Sequence, residues 1–211
     1  MMELSSGGVY TRPDTVASAA EAKELLVQGN RRFVSGQPAN KDFGVSKRRE
    51  LASKGQQPFS VVVGCSDSRV PLELLFDQAL GDLFVVRVAG NVVDQMVLGS
   101  VDYAVKYLHV PLVVVLGHEN CGAVKAVVDG EEAHGSIGSI FKKLEPSVAK
   151  AKAAGFTGND LYEASTDENI RAMVEELKRS PVIKCLVDSG GLSVLGGKFH
   201  LQSGQVRFFP E

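Results

Sequence analysis

The sequence contains no tryptophan and only three cysteines, and these shortages exclude several kinds of protein. Cys65, Cys121 and Cys185 are odd in number and far apart, and no two of them form a CxxC pair. A disulfide framework, a zinc knuckle and a redox dithiol are therefore all disfavoured. Cysteines used in this way fit a reducing compartment, where they serve as metal ligands or catalytic thiols.

Long hydrophobic runs are also missing. The longest apolar run covers residues 110–116, far short of the ~20 residues that a membrane helix needs. The first residues, MMELSSGGVYTRP, carry an early Glu3 and no apolar segment, which is unlike a secretory signal. We therefore expect a cytoplasmic protein without a membrane partner, and an organellar matrix stays open.

Neither sign of charge is in excess. The 23 lysines and arginines against 25 aspartates and glutamates give a formal net charge of -2. A protein that binds nucleic acid by charge alone is more basic than this. The only basic run, Lys47-Arg48-Arg49, is typical of a solvated helix face. We expect no nucleic-acid partner.

The composition is that of an ordinary globular protein, with 44% hydrophobic and 23% charged residues in a chain of 211. This length suits a single domain over residues 1–211. Short β-branched runs without alternation predict strands buried on both faces. They cover residues 59–63, 83–88 and 111–116. A helical pattern between the second and third runs predicts right-handed βαβ units, and so an α/β fold with a mostly parallel central sheet flanked by helices.

The first quarter of the chain is predicted to be a helical arm. Ser18-x-x-Glu21 has the pattern of a capping box, and a shorter basic helix is expected over residues 46–54. Residues 1–55 offer few core partners for their own chain, so we expect them to pack on another subunit as a dimerisation arm. Residues 56–211 then form the α/β core.

The last third of the chain is predicted to be mostly helical, with strands near its end. Pro146 should break or restart a helix that begins near Ile137. Ser165-x-x-Glu168 resembles a second capping box. The remaining predictions are a fourth buried strand over 181–187, with Cys185 inside it as a small hydrophobic residue, and an edge hairpin formed by 192–201 and 205–209.

Two loops carry the residues that could bind a metal ion or take part in catalysis. Cys65 follows the first predicted strand, and His118 and Cys121 follow the third. Because the carboxyl ends of parallel strands meet at one edge of a sheet, these side chains should converge. Two sulfurs and an imidazole suit Zn²⁺, and three protein ligands leave a fourth position for water or for the nearby Asp67. Burial as an ordinary hydrophobic residue is less natural for Cys65, which lies in a polar loop.

Five ordered segments resemble the β-class carbonic anhydrases over about residues 20–130. They are LLVQGNRRF at 25–33, VGCSDSRVP at 63–71, GDLFVVR with AGN at 81–91, GSVDYAV at 99–105, and GH with CGAV at 117–124. The resemblance implies that Cys65, His118 and Cys121 hold one Zn²⁺ per subunit.

The resemblance also implies the reaction, which is reversible hydration of CO₂ to bicarbonate and a proton by zinc-hydroxide attack. Asp67 and Arg69 would form the family's dyad. In an open form Asp67 accepts a hydrogen bond from the zinc-bound water while Arg69 holds its carboxylate. In a closed form Asp67 becomes the fourth ligand and activity is lost.

The substrate pocket implied by the resemblance is that of the plant-type subgroup. Its members here would be Gln56, Phe84, Ala89, Tyr103 and Gly122. Phe84 and Tyr103 would serve the site of the partner subunit across a homodimer. We expect that dimer to form by exchange of residues 18–33 and to double into a tetramer in some cases.

Three departures from the family pattern are visible. Val62 stands where the other subgroup has the tryptophan of an inhibitory bicarbonate site. Val88 stands where many members have asparagine, and Glu119-Asn120 where a small or hydroxyl residue is common. None of these changes removes a ligand.

Other functions stay open at this point. The same zinc fold acts on carbon disulfide or carbonyl sulfide in some relatives of the family. A non-enzymatic zinc or anion-binding module would be expected to lack Asp67 or Arg69, and both are present. His109, His134 and His200 are all candidates for a proton shuttle, and nothing in the sequence chooses among them.

Overall fold

Helices and strands alternate between residues 45 and 129 in the computed structural model, which describes residues 9–13 and 15–210. The helices are α1 Ala19–Val34, α2 Val45–Lys54, α3 Leu72–Leu75, α4 Gln95–Tyr107, α5 Gly122–Asp129, α6 Ile137–Ala153, α7 Gly158–Lys178 and α8 Pro181–Asp188. The strands are β1 Ser60–Gly64, β2 Leu83–Arg87, β3 Leu112–His118, β4 Ser193–Phe199 and β5 Val206–Phe208. A short 3₁₀ turn, Ala89–Asn91, follows β2. No helix in the described ranges combines the length and apolar character needed to cross a bilayer.

The five strands form one sheet in the order β2-β1-β3-β4-β5. The pairs β1–β2, β1–β3 and β3–β4 are parallel, and only β4–β5 is antiparallel. The predicted α/β class and the closing hairpin are therefore confirmed. The carboxyl ends of β1 and β3 are neighbours, since Gly64 pairs with Leu116.

The core lies on both faces of this sheet. Alternate residues of β1 point to opposite faces, so Val61 and Val63 join the apolar cluster under α4, α7 and α8, while Val62 joins the cluster under α1 and α3. Both faces are covered by helices, which explains why the strand runs are apolar without alternation.

α1 begins as predicted but packs differently. Ser18 caps it by accepting a hydrogen bond from the Glu21 N–H. Ala22 and Leu26 are fully buried in the chain's own core, so this segment packs more closely on its own chain than the few core partners predicted for it. Asn30 fixes the arrangement, since its amide donates to the carbonyl oxygens of Leu75 and Gly204, 2.9 Å each. Residues 1–8 of the predicted arm lie outside the described residues.

Two predictions about helix boundaries are wrong. α6 runs unbroken through Pro146. Pro146 is exposed, so water can reach the carbonyl that it leaves without a donor, while Leu144, Val148 and Ala151 keep the opposite face buried. Ser165 lies in the middle of α7 and is fully buried, so it caps nothing.

The predicted strand over 181–187 is helix α8. Pro181 occupies its first turn, a position where the missing N–H costs nothing. Val182, Ile183, Leu186 and Val187 pack on the core at helical spacing, and Cys185 is exposed rather than buried. The fourth parallel strand is instead β4.

Candidate metal centre

Three side chains with ligand atoms converge at the carboxyl edge of the sheet. Cys65 directly follows β1, His118 is the last residue of β3, and Cys121 immediately precedes α5. The two Sγ atoms and a ring nitrogen of His118 all lie within 4.8 Å of one another, and all three residues are buried. Parallel neighbouring strands thus bring together residues that are more than fifty positions apart.

The histidine ring is oriented for coordination. Its Nδ1 lies 2.8 Å from the carbonyl oxygen of Glu119, so this nitrogen carries the proton and donates it. Nε2 is then a lone-pair acceptor, and it is buried without a hydrogen-bond partner among the described residues. An unpaired buried nitrogen beside two sulfurs fits a Zn²⁺ ion, which binds this donor set tetrahedrally.

The two thiols are electrostatically coupled. A hydrogen bond from Cys121 lowers the pKa of Cys65 to about 4, against the opposing effect of burial. The same pairing, together with burial, raises the pKa of the Cys121 thiol. The Gly90 N–H also points at the sulfur of Cys65, at 3.3 Å. Full ionisation of both sulfurs therefore requires a cation between them.

The Asp67 carboxylate lies beside this cluster and is held by Arg69. The Arg69 Nε and Nη2 atoms donate to its two oxygens at 2.9 and 2.7 Å, and the Arg69 backbone N–H donates at 2.9 Å. These bonds lower the pKa of Asp67 to about 2. Its Oδ2 lies 3.8 Å from the Nε2 of His118. A charged carboxylate therefore faces the position that a metal would take.

A second arginine fixes the loop that carries Cys65 and Asp67. Arg87, at the end of β2, donates to the carbonyl oxygens of Cys65 at 2.9 Å and Asp67 at 2.6 Å. Sequence reasoning did not assign it this role. The feature of the sequence that could have indicated this role is an arginine at the end of an otherwise apolar strand.

Helix α7 supplies further support that the sequence did not predict. Asn169 is fully buried and its Nδ2 donates to the Gly90 carbonyl at 2.8 Å. Glu163 accepts the Asn120 N–H at 3.3 Å, and the buried Lys198 of β4 lies 2.5 Å from the other Glu163 oxygen. Two features of the sequence could have indicated this support. One is a polar residue on the apolar face of α7, and the other is a lysine in a buried strand.

The five predicted pocket residues fall into two groups. Ala89 and Gly122 lie at the cluster, next to Gly90 and Cys121 respectively. Gln56 is exposed before β1, at the edge of the sheet opposite Cys65. The structure does not bring Gln56 to the metal ligands of its own chain.

Phe84 and Tyr103 form a separate surface. Phe84 pairs with Val61, far from the carboxyl end of β1, and its ring centroid lies 6.4 Å from that of Tyr103. Both line a cleft of about 310 Å³ with Gln95 and Met96. We call this the β2–α4 face.

Comparison with known proteins places the chain among relatives of one kind. The family profile described as "Carbonic anhydrase" matches residues 60–206. A carbonic anhydrase of Mycolicibacterium smegmatis is 44% identical over 190 residues, covering 88% of this chain and 90% of the relative. Carbonic anhydrase 2 of Mycobacterium tuberculosis is 41% identical over 188 residues, covering 87% and 89%.

Solved structures agree with these relatives. A tetrameric β-carbonic anhydrase from Sordaria macrospora superposes with a TM-score of 0.73 at 26% identity, covering 78% of this chain and 86% of the other. The Coccomyxa β-carbonic anhydrase, solved in complex with acetazolamide, superposes with a TM-score of 0.69 at 28% identity, covering 88% and 85%.

Proposed function

The chain belongs to the β-class carbonic anhydrase family, and on that premise we propose that it hydrates CO₂ reversibly with one zinc ion per subunit, held by Cys65, His118 and Cys121. The observation that carries the zinc assignment is the unpaired, buried Nε2 of His118 beside two sulfur atoms. Bound zinc supplies Lewis acidity, which lowers the pKa of water enough to make a nucleophile near neutral pH.

Asp67 and Arg69 act on the attacking water. The low pKa of Asp67 keeps its carboxylate ionised, so it accepts a hydrogen bond from the water and aims the oxygen lone pair at carbon. Arg69 holds the carboxylate with two parallel hydrogen bonds, the arrangement that fixes a planar anion best. The intact Asp67–Arg69 pair is the arrangement expected of the open form, in which Asp67 would not be a metal ligand.

The substrate pocket is proposed to be shared between subunits. Ala89 and Gly122 flank the ligands within one chain, and the open Cα of Gly122 leaves room beside Cys121. Phe84, Tyr103 and Gln56 lie too far along the sheet to reach the ligands of their own chain, so we assign them to the site of a partner subunit. An apolar wall with one amide donor suits CO₂ and the oxygen charge that develops on it.

The β2–α4 face is the proposed dimer interface. β2 is an edge strand whose residues are only half-buried, and Met96 and Tyr103 beside it are 79% and 47% exposed. Exposed apolar surface next to an unpaired strand edge favours pairing with a second copy. We propose this face rather than exchange of α1, because α1 is packed in its own chain. The tetrameric assembly of the Sordaria macrospora relative supports further doubling.

Three free cysteines support a reducing compartment such as the cytoplasm.

The test is stopped-flow CO₂ hydration at pH 7 and pH 9, with zinc measured on the same sample. We expect about one zinc per chain and faster turnover at pH 9, because two thiolate ligands leave the metal less positive and its water less acidic. A sample without zinc overturns the metal assignment. Zinc without turnover at either pH overturns CO₂ hydration, and carbon disulfide is then the next substrate to assay.

A further inference from the structure

The 3₁₀ turn Ala89–Asn91 is held to α7 by one buried side chain. Asn169 has no exposed surface, and its Nδ2 donates to the Gly90 carbonyl at 2.8 Å. One turn further along α7, the sulfur of Met173 accepts the Val93 N–H at 3.0 Å. The turn and the segment that follows it are therefore each tied to α7 by one hydrogen bond.

Gly90 in turn contacts a proposed metal ligand. Its N–H points at the Sγ of Cys65 at 3.3 Å, a hydrogen bond that stabilises a thiolate. Gly90 has a φ of +70°, and it has no side chain of its own to hold that conformation. A Cβ here would meet Leu144 at 3.2 Å and Ala123 at 3.4 Å, so the backbone lies close against the core. Within the turn, the Asn91 N–H donates to the Val88 carbonyl at 2.8 Å. From outside the turn, Asn169 is the polar group that anchors Gly90.

The side-chain amide of Asn169 is only partly hydrogen-bonded in its buried position. The Oδ1 of Asn169 is buried and has no hydrogen-bond partner among the described residues. An unpaired buried acceptor lowers stability, and an apolar side chain of similar size would avoid that loss. This loss of stability is consistent with a role for the Nδ2 donor beyond packing.

We propose that Asn169 is a positioning residue for the metal centre: it fixes Gly90 so that the Gly90 N–H stays directed at the Cys65 thiolate. The inference rests on the zinc site of the proposed function. It gives α7 a role in retaining the metal. That role is exerted through the backbone of Gly90, since Asn169 itself would not bind the metal. Groups that orient a ligand typically change metal affinity 10–100-fold when removed.

The experiment measures zinc release from the zinc-loaded protein into a chelator. Asn169→Leu keeps the branching at Cγ, with bulkier methyl groups, and removes the donor, and we expect release to become at least ~10-fold faster. Ser165→Ala is the matched control, because Ser165 is equally buried on the same helix and its hydroxyl has no partner among the described residues. It should release zinc at the wild-type rate.

A spectroscopic readout separates positioning from packing. In the cobalt-substituted protein, the thiolate-to-metal charge-transfer band should shift in Asn169→Leu and stay in place in Ser165→Ala. If Asn169→Leu does not fold, Asn169→Ala is used with the same two measurements. Unchanged release and an unchanged band overturn the inference, as does equal acceleration in Ser165→Ala. A wild-type protein that binds no zinc overturns the proposed function instead.

Discussion

The carboxylate of Asp67 combines two properties at the scale of a single residue: it is charged, and it lies beside the ligand cluster. Asp67→Asn keeps the shape but removes the charge that accepts a proton or hydrogen bond. We expect the variant to bind zinc normally and to lose about 100-fold or more in turnover. Zinc analysis and stopped-flow hydration check this together, and wild-type turnover in the variant would contradict the role of the dyad.

The pKa of Asp67 makes a separate prediction about acid. Its folded value of about 2 is below the ordinary 3.8, so the Asp67–Arg69 pair stabilises the fold fully above about pH 4. That contribution is lost as the pH falls from 4 to 2. Arg69→Gln removes it at every pH. The unfolding free energies of zinc-free wild type and variant should therefore converge across this window.

Urea titrations at pH 6, 4, 3 and 2 measure the convergence. A difference between the two proteins that stays constant from pH 4 to pH 2 would show that Arg69 does not depress the pKa of Asp67. Zinc-free samples are used because acid also releases the metal.

Which site residues could be predicted depends on how each acts. The proposed ligands Cys65, His118 and Cys121 have side chains of a recognisable chemical type at or just after strand ends, and the order of the strands brings them together. Asn169 acts through the backbone of a glycine 79 positions away. A hydrogen bond to a backbone atom does not depend on the residue type at Gly90. The sequence therefore shows a polar residue on the apolar face of α7 but not the partner that it binds.

At the scale of elements, α7 contacts the loop between the ligands as well as the turn at Gly90. Glu163 accepts the Asn120 N–H, the Asn120 carbonyl accepts from Arg69 at 3.3 Å, and Lys198 holds Glu163. Glu163→Leu removes the acceptor, and we expect faster amide exchange at Asn120 and a turnover lower by about 5-fold, the equivalent of one hydrogen bond of ~1 kcal/mol.

Hydrogen exchange over residues 119–121 tests this without relying on turnover. Glu163→Gln retains an oxygen that can accept the same N–H and should keep exchange slow. Asp167→Asn removes the other carboxylate near Lys198, 2.9 Å away, without touching Asn120. Fast exchange in all three variants would mean that charge balance around Lys198, and not the hydrogen bond, holds the loop.

The elements differ in how well their patterns predict them. The parallel strands β1, β2 and β3 are apolar on both faces, a property that helices on both sides of the sheet require, and their predicted bounds are close to the observed ones. α8 has the same short apolar pattern and is a helix. Composition alone does not separate a buried strand from a short buried helix. What decides α8 is tertiary, since β4 already occupies the place beside β3.

At the scale of the whole molecule, the β2–α4 face predicts assembly. Met96→Asp places a charge on the most exposed apolar side chain of that face. We expect a dimer for the wild type and a shift towards monomer for the variant in light scattering. Phe156→Asp, at another exposed apolar position between α6 and α7, is the control and should remain dimeric.

Activity measured on the separated species extends the test. If Phe84, Tyr103 and Gln56 serve a partner's site, monomers should hydrate CO₂ poorly even when they hold zinc. A wild-type monomer with full activity would refute both the dimer and the shared pocket.

The hydrogen bonds of Asn30 also affect the order in which parts of the fold can form during synthesis. Asn30 Oδ1 accepts the Val206 N–H across 176 positions, and its amide donates to the Gly204 carbonyl. At 5–20 residues per second, a ribosome needs roughly 10–35 s to make the chain between these partners. We therefore expect α1 to leave the exit tunnel long before its docking site is complete, and its apolar face to be available to chaperones throughout that interval.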